Sequence, residues 1–196
     1  MGALTWRQVR QKNRGPEWTF TQVAFTTGAT SAFPAISRQG NLLAFASDRG
    51  ESGNLDIFVQ ALGVDEPVQL TSHPAMDRQP DFAPDGTRIA FQSNRDGGGI
   101  YVLSLLSRLE RKVADKGYLP RFSPDGSRIA FRGGDRKLYT APASGGEPRL
   151  VEPHLESASY PLWTPDGKHL LVLVGDKEAD FDWWVVPVGG GRAALT

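Results

Sequence analysis

The sequence predicts an all-β fold, a β-propeller of four-stranded antiparallel blades, with four blades in this chain. Three observations predict it. A turn motif recurs at blade-length intervals, one strand of each repeat is apolar on both faces, and another strand carries an aromatic residue at the same place in every copy. Each repeat is therefore a unit that needs neighbours to cover its two faces.

The turn motif occurs four times in one register. The copies are FPAISRQGNLLAF at 33–45, QPDFAPDGTRIAF at 79–91, LPRFSPDGSRIAF at 119–131 and YPLWTPDGKHLLV at 160–172. In three of them Pro presets φ, Asp bonds locally and Gly takes a positive φ, which together make a tight turn. Successive copies lie 46, 40 and 41 residues apart, an interval typical of propeller blades and longer than that of the shorter helical repeats.

Four short strands, named a to d, can be placed in each repeat from residue alternation and turn residues. In the second repeat they lie near 80–83, 88–92, 99–104 and 109–113. Strand b reads LLAFA, RIAFQ, RIAFR and HLLVL in the four copies, which indicates a sheet covered on both faces.

Strand c carries an aromatic residue at its third place in each repeat. These residues are Phe58, Tyr101, Tyr139 and Trp184. An aromatic stripe can serve as a ligand platform, but recurrence at one strand position favours packing between blades.

The repeats divide the chain as follows. Residues 1–17 form a basic polar arm or linker, and residues 18–196 carry the propeller repeats, with blade 1 at about 32–71, blade 2 at about 78–114, blade 3 at about 118–152 and blade 4 at about 158–196. Residues 18–28 read as an extra outer strand, because 191–196 already supplies one for blade 4. A fragment of a longer propeller, a closed ring with a spare strand, and a half-ring that pairs with a second copy all remain open, and the sequence favours the fragment.

Composition limits the classes of partner. Lys and Arg number 22 and Asp and Glu number 22, so the net charge of zero gives no electrostatic support for a nucleic-acid partner. The chain has no cysteine, which leaves the redox compartment open. No apolar run approaches the length of a membrane span, so direct membrane insertion is not expected.

The segments FAPDGTRIAFQSNRDGGGIYVLSL and FSPDGSRIAFRGGDRKLYTAPASGGEPRLV closely resemble the WD40-like β-propeller repeats of the TolB family. Similar repeats occur in the propeller domains of tricorn protease and of dipeptidyl peptidase IV-like enzymes. The resemblance covers about residues 22–196. It implies a bacterial propeller in a periplasmic or extracytoplasmic location, with a membrane anchor in the full-length protein left open. Family members usually close with six or more blades, which also favours the fragment.

The sequence gives no indication of catalysis, so we expect no enzyme activity, no cofactor and no metal. It lacks the Gly-x-Ser-x-Gly nucleophile elbow, and none of the three histidines has metal-binding spacing. The stretch 175–184 alternates four acidic residues that could present oxygens to Ca²⁺. These are Asp176, Glu178, Asp180 and Asp182. A solvated loop is favoured, and calcium binding remains open.

The loops from strand d to the next strand a, and from b to c, emerge on one face of the propeller. They are longer and more varied than the tight turns opposite, and recognition is usually found on such loops. The predicted exposed contact residues on this loop face are Arg78, Arg95, Tyr118, Arg136, Tyr160 and Asp180.

The favoured function is therefore a non-catalytic module or scaffold that binds a protein or peptide, such as the sensor part of a larger bacterial protein. Self-association through open blade edges is a further expectation. The alternative is an accessory propeller of a serine hydrolase or peptidase whose catalytic domain lies outside this chain.

Overall fold

A computed structural model describes residues 28–64, 66–155, 157–175 and 181–190, together with the backbone of 194–195. These residues form four antiparallel four-stranded sheets, each with its strands in sequence order. The all-β prediction with four blades is confirmed. The predicted arm at 1–17, and the predicted outer strand apart from Gly28, lie outside the described residues. Among the described residues, no helix has the length and apolar character needed to cross a membrane.

The strands are numbered in chain order. Blade 1 contains β1 Ser31–Ile36, β2 Leu42–Glu51, β3 Asn54–Ala61 and β4 Val68–Gln69. Blade 2 contains β5 Asp77–Phe82, β6 Arg88–Ser93, β7 Gly99–Ser104 and β8 Glu110–Asp115, with a short 3₁₀ helix at Arg95–Gly97. Blade 3 contains β9 Gly117–Phe122, β10 Arg128–Gly133, β11 Leu138–Pro142 and β12 Arg149–Leu150. Blade 4 contains β13 Ala158–Trp163, β14 His169–Val174, β15 Asp182–Pro187 and β16 Ala194–Leu195.

The repeated turn joins strands a and b of every blade. Its glycine has φ between 67° and 72° in all four copies, Gly40, Gly86, Gly126 and Gly167. In blades 2 to 4 the aspartate before the glycine accepts a hydrogen bond from the backbone N–H two residues on. Left-handed backbone and local aspartate bonding thus produce the turn that the sequence predicts.

The core lies in the gaps between neighbouring blades. One buried cluster joins blades 1 and 2, a second joins blades 2 and 3, and a third joins blades 3 and 4. Strand β6 shows why strand b is apolar on both faces, because Phe91 packs toward blade 1 while Ala90 packs toward blade 3. Propeller packing of this kind stabilises each blade through its neighbours.

In blades 1 to 3 the aromatic residue of strand c pairs with a phenylalanine of strand b, and the pairs of blades 2 and 3 lie in the gaps toward blades 1 and 2. The ring centroids lie 6.0 Å apart for Phe45 and Phe58, 5.9 Å for Phe91 and Tyr101, and 5.8 Å for Phe131 and Tyr139. In blade 4, Trp184 lies opposite Val172. Packing between blades is confirmed for Tyr101, which is buried with residues of blade 1. Phe58 is also buried, but it lies outside the three clusters that join neighbouring blades.

The inner strands follow one another around an arc. Strand β1 contacts β5, β5 contacts β9, and β9 contacts β13. Within the described residues, β13 and β1 share no contact of comparable extent. The four blades therefore form an open arc.

Candidate functional site

Three of the predicted contact residues lie in the inner strands. Arg78 is in β5, Tyr118 in β9 and Tyr160 in β13. The two tyrosines are 41% and 54% exposed. Arg78 is half-buried, and its Nη2 lies 3.2 Å from Met76 Sδ. The inner strands thus present two tyrosines for contact, whereas Arg78 is largely turned into the protein.

Every inner strand has a β-bulge, which the sequence analysis did not predict. The register shifts once in each of the four a–b strand pairs. The residue before the repeated proline has a positive φ in each copy: 55° at Phe33, Gln79 and Leu119, and 52° at Tyr160. Bulges re-aim side chains, and Gln79 Oε1 accepts a hydrogen bond of 2.8 Å from the backbone N–H of Leu119 in the next blade. The proline at a fixed place was the signal in the sequence.

Arg95 differs from its prediction as an exposed contact. Its side chain is only 10% exposed, with Nη2 2.6 Å from Asp77 Oδ2 and Nη1 paired with Glu110. The guanidinium carbon stands 5.6 Å and 4.8 Å from the ring centroids of Phe91 and Tyr101. Burial lowers the pKa of Arg95, but the two carboxylates outweigh it and the pKa is raised. Ion pairing and stacking draw this arginine inward, which corrects the expectation of an exposed side chain.

The sequence places the remaining two predicted residues between strands b and c. Arg136 is exposed in the turn between β10 and β11, with φ of 68°. Asp180 lies outside the described residues, as does most of the acidic stretch at 176–182. The solvated loop favoured for this stretch, with calcium binding left open, therefore has no structural test here.

Polar contacts also join neighbouring blades on the side of the repeated turns. Arg88 Nη2 donates to the carbonyl of Gly126 at 3.2 Å, and the Arg88 guanidinium carbon stands 5.3 Å from the Phe122 ring centroid. One blade further on, Arg128 stands 5.1 Å from the Trp163 ring centroid. The arginine at the start of strand b therefore contacts the following blade in both blade 2 and blade 3.

A cleft of about 800 Å³ lies between blades 2 and 3. It is lined by residues 113–116 after and within β8, by 133–135 in the β10–β11 turn, by 146–148, and by Gly97, Tyr118, Phe131 and Tyr139. Gly133 lets the Tyr139 ring lie against the turn, since a Cβ there would come 2.7 Å from Tyr139 Cε2. The cleft therefore combines an aromatic wall, the backbone of turns and several charged side chains.

The charges of the cleft are mostly acidic. Asp115, Asp135 and Glu147 line it together with Lys116. Asp115 Oδ1 lies 2.6 Å from Lys112 Nζ, and this bond lowers the pKa of Asp115. Burial raises the pKa of Asp135, but hydrogen bonds from the Lys137 backbone N–H and the Tyr139 hydroxyl outweigh it, so the pKa is lowered. Both aspartates are therefore ionised at neutral pH.

Among the described residues, no group of three or more side chains could hold a metal ion. The cleft presents aromatic faces, carboxylates and backbone groups in a concave surface. Of the predicted residues, the cleft brings in only Tyr118. Sequence reasoning missed Asp135 and Tyr139 as cleft residues, although the glycine pair before Asp135 distinguishes this turn from its copies.

No protein-family model matches the chain. The chain is 35% identical over 115 residues to the uncharacterized peptidase YuxL of Bacillus subtilis (strain 168), a match that spans 52% of this chain and 18% of that protein. The chain therefore covers less than a fifth of its curated relative.

The solved structures similar to this one are propellers. TolB from Acinetobacter baumannii superposes with a TM-score of 0.72 at 20% identity, over 85% of this chain and 43% of that chain. A protein assigned as TolB from Agrobacterium tumefaciens gives 0.76 at 20% identity, over 88% and 66%. The β-propeller domain of the Trilobed protease from Pyrococcus furiosus, which has an open velcro topology, gives 0.57 at 17% identity, over 85% and 57%. These likenesses show that the chain has the propeller fold of TolB and of peptidase propeller domains.

Proposed function

We propose, from this shared propeller fold, that the chain is a non-catalytic module that binds a peptide or a segment of a protein on its loop face. The cleft between blades 2 and 3 carries the proposal. A concave surface of about 800 Å³ with an aromatic wall, polar groups and turn backbone is the kind of surface that holds an extended segment. Propellers host unrelated activities, so the fold alone does not decide the function.

The position of the cleft supports this function. Its walls come from two blades that are each covered on both faces, so the surface is held by the buried cluster beneath it. Tyr118 at its edge offers a large amphipathic side chain, a residue type that is common among interface anchors.

A selection from a random peptide library displayed on phage tests the proposal. We expect enriched peptides to bind the chain and to lose affinity when Tyr118→Ala removes the exposed ring at the cleft edge. Leu106→Ala, which shortens an exposed apolar side chain in the β7–β8 turn, is the control and should leave binding unchanged. The absence of enriched binders, or equal binding to the Tyr118→Ala variant, would contradict the proposal.

A second candidate is an accessory propeller of a serine peptidase, which the match to YuxL favours. In that case the propeller would dock or admit substrates for a catalytic domain elsewhere in the protein. The open reading frame of the parent gene distinguishes the two candidates. A Gly-x-Ser-x-Gly elbow with a downstream histidine supports the peptidase, and its absence from the complete frame contradicts it.

A further inference from the structure

The three aromatic pairs of blades 1 to 3 occupy the same hairpin position. Phe45 pairs across the strands with Phe58, Phe91 with Tyr101, and Phe131 with Tyr139. The three residues that begin two positions after each phenylalanine differ among the blades. They read Ser-Asp-Arg at 47–49, Ser-Asn-Arg at 93–95 and Gly-Gly-Asp at 133–135. The first two copies therefore end on an arginine, and the third does not.

In blades 1 and 2 that arginine covers the aromatic pair. Arg49 stands 5.1 Å and 5.3 Å from the ring centroids of Phe45 and Phe58. Arg95 stands at comparable distances over its own pair, as described above. The serine two residues earlier supports the guanidinium, since Arg95 Nε donates to Ser93 Oγ at 2.8 Å and Arg49 Nε to Ser47 Oγ at 3.4 Å. The chain thus binds its own guanidinium groups twice in the same way.

In blade 3 both parts of this arrangement are replaced. Gly133 stands in place of the supporting serine and Asp135 in place of the arginine. Among the described residues that line the cleft, none is an arginine, and Phe131 and Tyr139 form part of its wall. The cleft therefore opens where blades 1 and 2 hold a guanidinium.

The carboxylates of the cleft suit a cation at this place. Asp135 lines it beside Tyr139, and Glu147 lies one residue before the strand position that Glu110 occupies in blade 2, where Glu110 pairs with Arg95. Asp115 is already in an ion pair with Lys112, and Lys116 adds one positive charge. Asp135 accepts hydrogen bonds from the Lys137 backbone N–H and the Tyr139 hydroxyl, but neither donor is a cation, so the charges of Asp135 and Glu147 remain for a ligand. Carboxylates next to an aromatic face favour a planar cation that can stack and donate in a fork.

We propose that the cleft between blades 2 and 3 binds the guanidinium of an arginine side chain from a partner protein. The partner's arginine takes the place that Arg49 and Arg95 occupy within their own blades. It stacks on the Phe131–Tyr139 pair and donates to Asp135 and Glu147. This inference rests on the proposed function, because it names the group that the peptide-binding cleft recognises.

Two blocked pentapeptides test the inference directly. One is acetyl-Gly-Gly-Arg-Gly-Gly-amide, and the other replaces arginine by citrulline, which keeps the planar shape but has no charge. Backbone amide signals of Gly133, Gly134 and Gly146 in ¹⁵N-labelled protein report binding in the cleft. We expect the arginine peptide to shift these signals and to bind about tenfold more tightly than the citrulline peptide.

Substitutions in the cleft then test whether the peptide binds at Asp135 and Glu147. Asp135→Arg supplies a guanidinium from the chain itself, as in blades 1 and 2, and should abolish the shifts. Glu147→Gln removes one carboxylate and should weaken binding several-fold. Glu66→Gln is the matched control, because Glu66 is an exposed glutamate that precedes a proline at the corresponding place of blade 1. Glu66→Gln should leave binding unchanged. If Asp135→Arg fails to fold, weaker peptide binding by Glu147→Gln than by Glu66→Gln supports the inference, and equal binding by the two variants overturns it.

The outcomes separate this inference from the proposed function. Equal binding of the two peptides, or no cleft shifts with either, overturns recognition of a guanidinium. Binding that Asp135→Arg leaves intact, in a variant with an unchanged melting temperature, also overturns it. The binding module itself still stands in those cases if library-selected peptides without arginine bind and depend on Tyr118.

Discussion

Asp81 lies on strand a of blade 2 and accepts a hydrogen bond of 2.7 Å from the backbone N–H of Phe122 in blade 3. Burial raises the pKa of Asp81 from 3.8 to about 6, while Phe122 and the nearby Arg121 lower it in part. A single carboxylate between two blades therefore makes their contact sensitive to pH.

We predict that Asp81 lowers the stability of the protein as pH rises from 3.8 to about 6. The native state holds the proton more tightly than the unfolded state does, so folding is favoured less once the unfolded state has lost it. Thermal melts of the wild-type chain and of Asp81→Asn across this range should show the variant gaining relative stability up to about pH 6, with a constant difference above.

Asp125→Asn is the control for this pH series. Hydrogen bonds from the Ser123 and Ser127 hydroxyls and the Ser127 backbone N–H lower the pKa of Asp125 to about 2. The stabilisation from the Asp125 carboxylate is complete above pH 3.8 and is lost as pH falls toward about 2. Between pH 3.8 and about 6 the difference in melting temperature between wild type and Asp125→Asn should therefore stay constant, whereas Asp81→Asn should gain stability relative to wild type. A flat profile for Asp81→Asn would contradict the raised pKa.

Arg95 supplies a second prediction at this scale. Replacing it by Met leaves the fully buried Asp77 without its ion-pair partner, and we expect a loss of about 3 kcal/mol in the free energy of unfolding. Urea unfolding measures the loss. Arg136→Met, at an exposed turn, should change stability by less than about 0.5 kcal/mol. Similar small losses in both variants would show that Arg95 is not structural.

At the scale of the element, the four copies of one turn differ in their surroundings. Gly40 and Gly126 have nearly equal φ, 72° and 70°. A Cβ on Gly40 would meet nothing within 4 Å, but one on Gly126 would lie 3.0 Å from Arg88 Nη2 and 3.3 Å from Pro84 Cδ. The same turn is free-standing in blade 1 and packed against its neighbour in blade 3.

The two glycines therefore respond differently to substitution. We expect Gly40→Ala to cost about 1 kcal/mol, the strain of a left-handed alanine. Gly126→Ala should cost more, because the new methyl group also displaces Arg88 from the Gly126 carbonyl and the Phe122 ring. Chemical denaturation of the two variants tests the order. Equal losses would mean that the contact from Arg88 contributes nothing.

The strands of each blade were predictable because their signals are local. Alternation and the Pro-Asp-Gly turn placed β6 and β7 to within a residue, and the recurring aromatics identified the rings that fill the gaps. The bulge at Gln79 was not predicted, because a positive φ before proline leaves no local mark beyond the proline itself. The burial of Arg95 was missed because its partner Asp77 lies 18 residues away in another strand.

The candidate cleft was predictable only in part. The sequence places Tyr118 on the loop face, and the replacement of Ser-x-Arg by Gly-Gly-Asp in the third repeat is visible by eye. The sequence does not show what this replacement changes. The arginines of the first two repeats stack on aromatic pairs, and this contact between strands appears only in the three-dimensional structure.

At the scale of the whole molecule, the arc leaves apolar side chains exposed on its last blade. Leu162 in β13 is 45% exposed, and Leu171 lies opposite it in β14. Apolar residues on an uncovered sheet face favour association. Self-association through open blade edges, expected from the sequence, stays a prediction. The apolar surface at Leu162 and Leu171 is where we expect the contact.

Light scattering after gel filtration measures this association. We predict a dimer of twice 21.4 kDa at high protein concentration. Leu162→Lys should shift the mass to that of the monomer by placing a charge on the uncovered face. Leu106→Lys, at an 85% exposed leucine in the β7–β8 turn of blade 2, should leave the dimer intact. A monomeric wild-type chain at all concentrations would contradict the prediction.

Because each buried cluster joins only two neighbouring blades, the blades should differ in how readily they unfold locally. Blades 1 and 4 have one described buried cluster each, whereas blades 2 and 3 take part in two. Amide hydrogens should exchange fastest in the outer blades and slowest in the middle pair. The cleft lies between the two slowest blades, so it is preorganised, and a ligand that enters it orders little of the protein on binding.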